Sequence, residues 1–333
     1  MAAPDNNILR PVRCIIKLGG SSATEKDKFE TINESLLSTT AKQLKEAFVI
    51  SSDKQQPTMD WSRGSNCDQA SFLPEDSPTS EFQLDFNPFV VVHGAGSYGH
   101  FQASKGRVNR GDLAEDYVKA GFVATRISVT KLNHEIVRAF ARECIPAVGV
   151  SPFSAGWSTR NRMLDRENTP HVQRLVQAGL LPVLHGDAVL DSVQGCAILS
   201  GDVIVRQLAQ TLKPSYVVFL TNVPGVYDRP PSDQNAVLLK EIAVADGTWK
   251  IIDPPEIERG MKVQTTVAAH DTTGGMETKI AEAASIASCG IPVLVVETGS
   301  RHALEALKGS PLTSREDWVG TLIRQAGSEE LEH

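Results

Sequence analysis

The sequence is short of several things, and each shortage removes a class of function. Cysteine appears five times, at Cys14, Cys67, Cys144, Cys196 and Cys289, with no CxxC pair and an odd total. That argues against a zinc knuckle or a disulfide framework and predicts free thiols in a reducing compartment. No apolar run reaches the roughly 20 residues that span a bilayer. There is no basic excess: 33 Lys and Arg stand against 40 Asp and Glu, for a formal charge of -7. A duplex-binding surface needs the opposite balance, so nucleic acid is not an expected partner. The opening MAAPDNNILR has no apolar central segment and does not read as a signal or transit peptide, which predicts a cytoplasmic location. There is no GxxxxGK[ST] phosphate loop and no internal repeat.

What is present is the composition of an ordinary globular protein, 41% apolar and 22% charged over 333 residues. Apolar, β-rich runs at 12–18, 89–94, 146–150, 180–186, 215–221 and 291–297 alternate with helical stretches. These include a pattern through Ile32, Leu36, Leu37, Leu44 and Phe48, one long helix or two over 113–145, and helices at 171–178, 201–212 and 275–288. Continuous apolar strands separated by helices predict an open, mostly parallel sheet covered on both faces, a three-layer α/β/α sandwich. Two segments break the rhythm. Turn signals around short apolar pieces at 183–199 predict a β-hairpin. The segment 51–85, rich in Ser, Asp, Gln and Pro, reads as a long insertion without regular structure or catalytic residues.

Three glycine-bearing loops follow strand ends. KLGGSSATEK (17–26) lets backbone amides approach an anion unobstructed, with Lys17 and Lys26 flanking it and a helix start behind. The plain alternative is a strand-to-helix turn with two solvated lysines. VVVHGAGSYGH (90–100) holds Gly94, Gly96 and Gly99 in the GxGxxG spacing of a dinucleotide fingerprint. That fingerprint also needs a second strand ending in an acid about twenty residues on. KGRVNRGDLAEDYVKAG stands there instead, so the nicotinamide reading is set aside. What remains is an anion-binding turn with His93 and His100. His93, closing a buried strand, is expected to satisfy backbone groups, whereas His100 starts the next helix and is better placed for a ligand. The third loop, HDTTGGMETKIAEA (270–283), sets Gly274 and Gly275 before a helix with Lys279 one turn in. SGD (200–202) opens another helix, where Asp202 is either a helix cap or a carboxylate that orders the lysines. Thr221 and Asn222 close the strand at 215–221, where open α/β sheets bind ligands. Phosphoryl transfer calls for such equipment, because its catalysis is positioning plus fixed positive charge.

KLGGS, TNVPGVYD and DTTGGMETK resemble the nucleotide-side signatures of the amino-acid kinase family. HGAGSYGH and LSGD are similar to the branch of that family whose acceptor is isopentenyl phosphate, over most of the chain outside 51–85. The resemblance implies an ATP-dependent phosphotransferase working in isoprenoid biosynthesis, with 1–199 as the acceptor lobe and 200–333 as the ATP lobe. It implies that Lys17, Leu18, Gly19, Gly20 and Ser21 cradle the ATP phosphates, with Gly96, Asn222, Gly275 and Lys279 also on the nucleotide side. Ala95, His100 and Gly201 would contact the acceptor, Lys26 would steady the transition state, and Asp202 would order the lysines. Many relatives carry Asp where this chain has Asn222. No carboxylate cage for a metal is evident, so Mg2+ is expected to bind through ATP oxygens and water. Tyr98, Phe101, Val129, Ile145, Val148 and Phe153 are candidates for an apolar tail pocket. A homodimer is implied by the resemblance alone. Two other readings stay open: a kinase of the same fold acting on uridylate, glutamate or an alkylphosphonate, and a nucleotide sensor without transfer activity.

Overall fold

A computed structural model describes residues 11–25, 28–48, 86–245, 248–255 and 276–327, with backbone only at 276–280. The segment 51–85, Lys26 and Gly275 therefore lie outside the described residues. The first apolar run forms β1 (Cys14–Leu18), buried at every position. A single helical turn, α1 (Gly20–Ala23), and the amphipathic α2 (Glu34–Phe48) follow. Then come β2 (Phe89–His93), α3 (Gly96–Lys105), the long α4 (Asp116–Arg142) and β3 (Ala147–Val150). Next are β4 (Ser158–Arg160), β5 (Met163–Arg166), α5 (Thr169–Gln177) and β6 (Leu181–His185). The hairpin β7 (Asp187–Asp191) and β8 (Gly195–Leu199) leads into α6 (Gly201–Leu212) and β9 (Tyr216–Thr221). The C-terminal part holds β10 (Val226–Tyr227), β11 (Leu238–Leu239), β12 (Glu241–Ala245) and β13 (Thr248–Asp253). It ends with α7 (Met276–Ala287), β14 (Val293–Glu297), α8 (Arg301–Lys308) and β15 (Thr321–Gln325).

Nine strands form one sheet in the order β13-β12-β15-β14-β9-β1-β2-β6-β3, and the run from β14 to β3 is wholly parallel. Alternation along each strand divides the core. Ile15, Val92, Val217 and Phe219 face α5, α6 and α7. Cys14, Ile16, Leu18, Val91 and Val218 face α2, α4 and α8. Burial on both faces is why these strands read as unbroken apolar runs, and the three-layer α/β/α sandwich is the fold observed. Strands from before residue 200 make one end of the sheet and later strands the other, joined where β1 pairs with β9. Cys14, Cys144 and Cys196 are buried free thiols, and Cys289 is an exposed one.

The expected hairpin is present as β7–β8, within a second sheet ordered β5-β4-β7-β8. Strands β4 and β5, the pair β10–β11 and, in the C-terminal part of the main sheet, β12, β13 and β15 have no counterpart among the predicted elements. They are short or carry polar side chains on one face. The stretch at 113–145 holds one helix rather than two. The helix after the first glycine loop is one turn long rather than a full helix with a strong dipole.

Phe48 and β2 are fastened together across the segment between them. The Asn87 amide donates to the Phe48 carbonyl (2.8 Å) and its side chain to the Ala47 carbonyl (2.8 Å). Arg13 then donates to Asn87 Oδ1 (2.8 Å), closing the clasp at the amino-terminal ends of β1 and β2.

Asp191 ties the small sheet together. Its carboxylate accepts from the backbone amides of Asn161, Arg162, Val193 and Gln194 and from the Thr159 hydroxyl. Asn161 and Arg162 sit in left-handed backbone (φ 49° and 67°), so this turn depends on that acceptor. Burial alone would raise the Asp191 pKa, but the Gln194, Arg162 and Val193 amides and Thr159 outweigh it and hold the carboxyl well below the usual range. A depressed folded pKa stabilises the fold above the ordinary carboxylate pKa, and the contribution disappears as pH falls through the folded value. Asp191→Ala should therefore cost about 3 kcal/mol of stability at neutral pH, with the difference from wild type shrinking in strong acid. Urea unfolding across pH reads both effects, and an unchanged midpoint at neutral pH would refute the role.

Candidate active site

The parallel strands end at one height. In register, Leu18 pairs with His93 and with Leu220, and His93 with His185. The ladder continues one step past each end: Gly19 donates to the Leu220 carbonyl (2.9 Å), Gly94 to Leu18 (2.8 Å) and Gly186 to His93 (3.0 Å). The loops that leave these ends are thus held side by side.

The first two glycine loops touch backbone to backbone. A Cβ on Gly20 would stand 2.5 Å from both the nitrogen and the Cα of Gly96. One on Gly94 would lie 2.9 Å from the Gly20 nitrogen. Gly96 has φ +55°, and a Cβ there would strike Thr24 Oγ1 at 2.3 Å. Thr24 staples the two loops, accepting from the Ser97 amide (3.1 Å) and donating to the Gly20 carbonyl (2.8 Å). Among the described residues, the amides of Gly20, Ser21, Ala95 and Gly96 have no hydrogen-bond acceptor. Four unspent amides converging at strand ends form a ready anion cradle. Leu18 and Gly19 belong instead to the sheet: Leu18 lies in its ladder and Gly19 spends its amide on Leu220. Among the described residues, the free amides of this loop are those of Gly20 and Ser21.

Lys17 is the buried charge beneath this cradle, 5% exposed. Its ammonium pairs with Asp202 Oδ1 at 2.5 Å, and it stands over the Phe219 ring at 5.9 Å. Asp202 is not the helix cap. Ser200 caps α6 by accepting the Asp202 amide (3.1 Å), which leaves the Asp202 carboxylate to the lysine. Removing either partner would leave a buried charge uncompensated, a cost of about 3–5 kcal/mol. Gly201 heads the same helix, and a Cβ there would meet Lys17 Cε at 3.2 Å and the His93 carbonyl at 3.3 Å. The structure therefore brings Lys17, Gly20, Ser21, Ala95, Gly96, Gly201 and Asp202 together. Asn222 joins them, accepting from Ser21 Oγ at 3.3 Å.

His100 lies in the second turn of α3, because the helix begins at Gly96 rather than beyond the last glycine. It is exposed at the surface, yet enough of the protein surrounds it that desolvation lowers its pKa. Lys279 lies one turn into α7. Of the tail candidates, Ile145 is core, packed in the layer of Ile136 and Phe140, and Tyr98 is buried in that same layer. Val148 sits on the edge strand β3. Val129 packs below Gly99, where a Cβ would be 2.6 Å from its methyl. Phe101 is exposed and pairs edge-on with Phe29, with centroids 6.0 Å apart. Phe153 packs against Phe122 and under the Arg126 guanidinium.

Three further partners of the site leave little trace in the sequence. Thr24 carries no signal beyond its place in the loop. Arg206 and Glu282 form an ion pair at 3.1 Å between α6 and α7. Desolvation chiefly, with a smaller push from Asp202, raises the Glu282 pKa against the pull of Arg206 and Lys17. The spacing of Asp202 and Arg206, four apart on one helix, is the one available hint.

A cradle of free amides over a buried lysine–carboxylate pair, at the carboxyl ends of an open parallel sheet, is built for positioning and neutralising phosphate. The family model described as the Amino acid kinase family matches residues 79–297, and the chain belongs to that family. Its similarity reaches a particular member. A curated isopentenyl phosphate kinase of Arabidopsis thaliana is 53% identical, with 95% of this chain and 96% of that protein aligned. The isopentenyl phosphate kinase of Methanothermobacter thermautotrophicus is 30% identical over 83% of this chain and 88% of its own. A solved structure of isopentenyl phosphate kinase superposes with a TM-score of 0.66 at 25% identity, over 93% of this chain and 100% of that one.

The Gly20–Gly96 contact makes a sharp prediction. Gly20→Ala places a methyl inside the Gly96 backbone, so the two loops must part. Turnover should fall about a hundredfold, the scale for misplacing reacting groups by an ångström. The far-ultraviolet spectrum should be retained, and near-normal turnover would mean that the loops act independently.

Proposed function

We propose that this chain transfers the γ-phosphate of ATP to isopentenyl phosphate, giving isopentenyl diphosphate and ADP. The observation that carries the reading is the 53% identity along nearly the whole chain to a protein of that name, joined to a cradle that suits two phosphates side by side. The chain is a phosphotransferase with a phosphate acceptor, and its product belongs to isoprenoid biosynthesis.

In the mechanism we infer, ATP lies against the C-terminal lobe (200–333), near Asn222, Gly275 and Lys279, and its phosphates reach the amides of Gly20, Ser21 and Gly96. The acceptor lies against the N-terminal lobe (1–199), its phosphate on the amides of Ala95 and Gly201 and on His100. An acceptor oxygen attacks the γ-phosphorus in line, the bond to the ADP oxygen breaks, and ADP leaves. The acceptor is already anionic, so no strong base is needed. Lys17, Lys26 and Lys279 offset the accumulated charge, and Asp202 keeps Lys17 in place. His100 anchors the acceptor. Its lowered pKa leaves it neutral at physiological pH before substrate arrives, so it meets a dianion as a hydrogen-bond donor and gains charge only as the phosphate draws a proton to it.

Mg2+ fits the reading as an ion carried by ATP. Among the described residues no group of three or more His, Cys, Asp or Glu could hold a metal, and the nearby Asp202 is already paired with Lys17. Bound to phosphate oxygens and water, the ion would neutralise charge on the β- and γ-phosphates. No described helix is long and apolar enough to cross a membrane, and we place the enzyme in the cytoplasm.

The substrate is read by offering ATP with isopentenyl phosphate, uridylate, glutamate and an alkylphosphonate in turn. Isopentenyl phosphate should be turned over best. His100→Ala should lose about 2–4 kcal/mol of transition-state binding on that substrate. Preference for another acceptor, or an active His100→Ala protein, would sink the assignment.

We further propose a homodimer. The outward face of α4 carries exposed Val123 and Ile127, 52% and 66% accessible, on the helix that packs over the edge strand β3. Light scattering should give twice the chain mass, and Ile127→Lys should shift it toward the monomer. A monomeric wild type would refute this.

A further inference from the structure

His93 closes β2 with none of its surface exposed, at the point where the acceptor-side loop begins. Both its ring nitrogens are engaged. Nδ1 lies 2.9 Å from the Gly94 carbonyl oxygen, and a carbonyl only accepts, so Nδ1 carries the proton. Nε2 is then the acceptor, and Asn133 Nδ2 donates to it at 3.1 Å. The same amide group gives its second hydrogen to the Val183 carbonyl at 2.9 Å. Asn133 has room to do this because residue 149 is glycine, where a Cβ would stand 2.3 Å from Asn133 Oδ1. The tautomer of His93 is thus set from α4.

Lys17 on β1 and His185 on β6 also face the ring, the latter stacked at 5.5 Å, with Asp187 and Arg126 beyond His185. Desolvation, then His185, and to a lesser degree Lys17, push the His93 pKa down to about 3 against the pull of the Gly94 carbonyl. The ring is neutral throughout the physiological range and has no role as an acid or base.

What the ring holds is one peptide plane. In a trans peptide the carbonyl and the following amide point in opposite directions. With the Gly94 oxygen fixed on His93, the Ala95 amide points away from the ring, and it is one of the unspent donors of the cradle. Gly94, on one side of this plane, opposes its rotation weakly. Rotated, it would turn a carbonyl oxygen toward an anion. We infer that His93 is a positioning residue that holds the Ala95 amide toward the acceptor phosphate, so that the donor is in place before the substrate binds. This rests on the reading of the Ala95 loop as the acceptor side.

The test compares wild type, His93→Asn and His93→Leu as full-length proteins. Asn keeps a donor close to the place of Nδ1, and Leu fills the space without one. His93→Leu should lower kcat/KM for isopentenyl phosphate about a hundredfold while KM for ATP stays within about twofold. His93→Asn should recover most of that loss. A His93→Leu protein that melts earlier but keeps its kcat/KM, or equal losses in both variants, would overturn the inference. If wild type itself ignores isopentenyl phosphate, the functional reading fails instead. Nitrogen-15 spectra of the wild-type histidine rings, assigned by difference from His93→Asn, decide the matter independently. The Nδ1–H tautomer should persist without titration between about pH 5.5 and 8.5. An Nε2–H tautomer, or titration in that range, would overturn the positioning role whatever the substrate.

Discussion

Two stretches of backbone, Gly19 to Ser21 and Gly94 to Gly96, meet main chain against main chain, and the site depends on that meeting. Because β1 and β2 are parallel neighbours in register, their loops leave the sheet at one level. Glycine at positions 20 and 96 then allows an approach that any Cβ would block. Amides that would otherwise be spread over two loops become one cradle, and Thr24 keeps them so.

Charge is arranged around that cradle in depth. Lys17 comes from the middle of the sheet and Asp202 from the first turn of α6, so the pair is held by elements on different layers. Beside it, Arg206 and Glu282 link α6 to α7, the helix on which Lys279 lies. On the other side two neutral histidines, His93 and His185, end adjacent strands with their Nδ1 atoms on the next carbonyl. Neutral rings there satisfy backbone groups without adding a charge that Lys17 would oppose.

Much of the fold was legible because strands buried on both faces must be apolar throughout. The runs at 12–18, 89–94 and 215–221 could hardly be anything else. Strands β12 and β15 were not legible, since they pair with each other across about eighty residues, and β13 lies at the sheet's edge with few buried positions. The β4–β5 turn was hidden too, because its left-handed residues are Asn161 and Arg162 rather than glycine, held by Asp191 from another strand. In the site, glycine loops announced an anion, but which amides remain free is a property of the folded sheet. Gly19 and Gly20 look alike in sequence, and only one has its amide to spare. The pairing of Lys17 with Asp202 bridges 185 positions and has no local signature.

The clasp of Asn87 on Ala47 and Phe48 has a consequence for the chain between them. It fastens the exit and re-entry points at the amino-terminal ends of the strands, whereas the phosphate cradle sits at the carboxyl-terminal ends. The two feet of the intervening stretch thus stand on the far rim of the sheet. Joining two fixed points by a longer connection costs only about 0.6 kcal/mol for each doubling of its length. Lengthening the connection between these feet therefore adds little to the cost of holding β1 and β2 in register, and the feet themselves stand on the rim opposite the cradle.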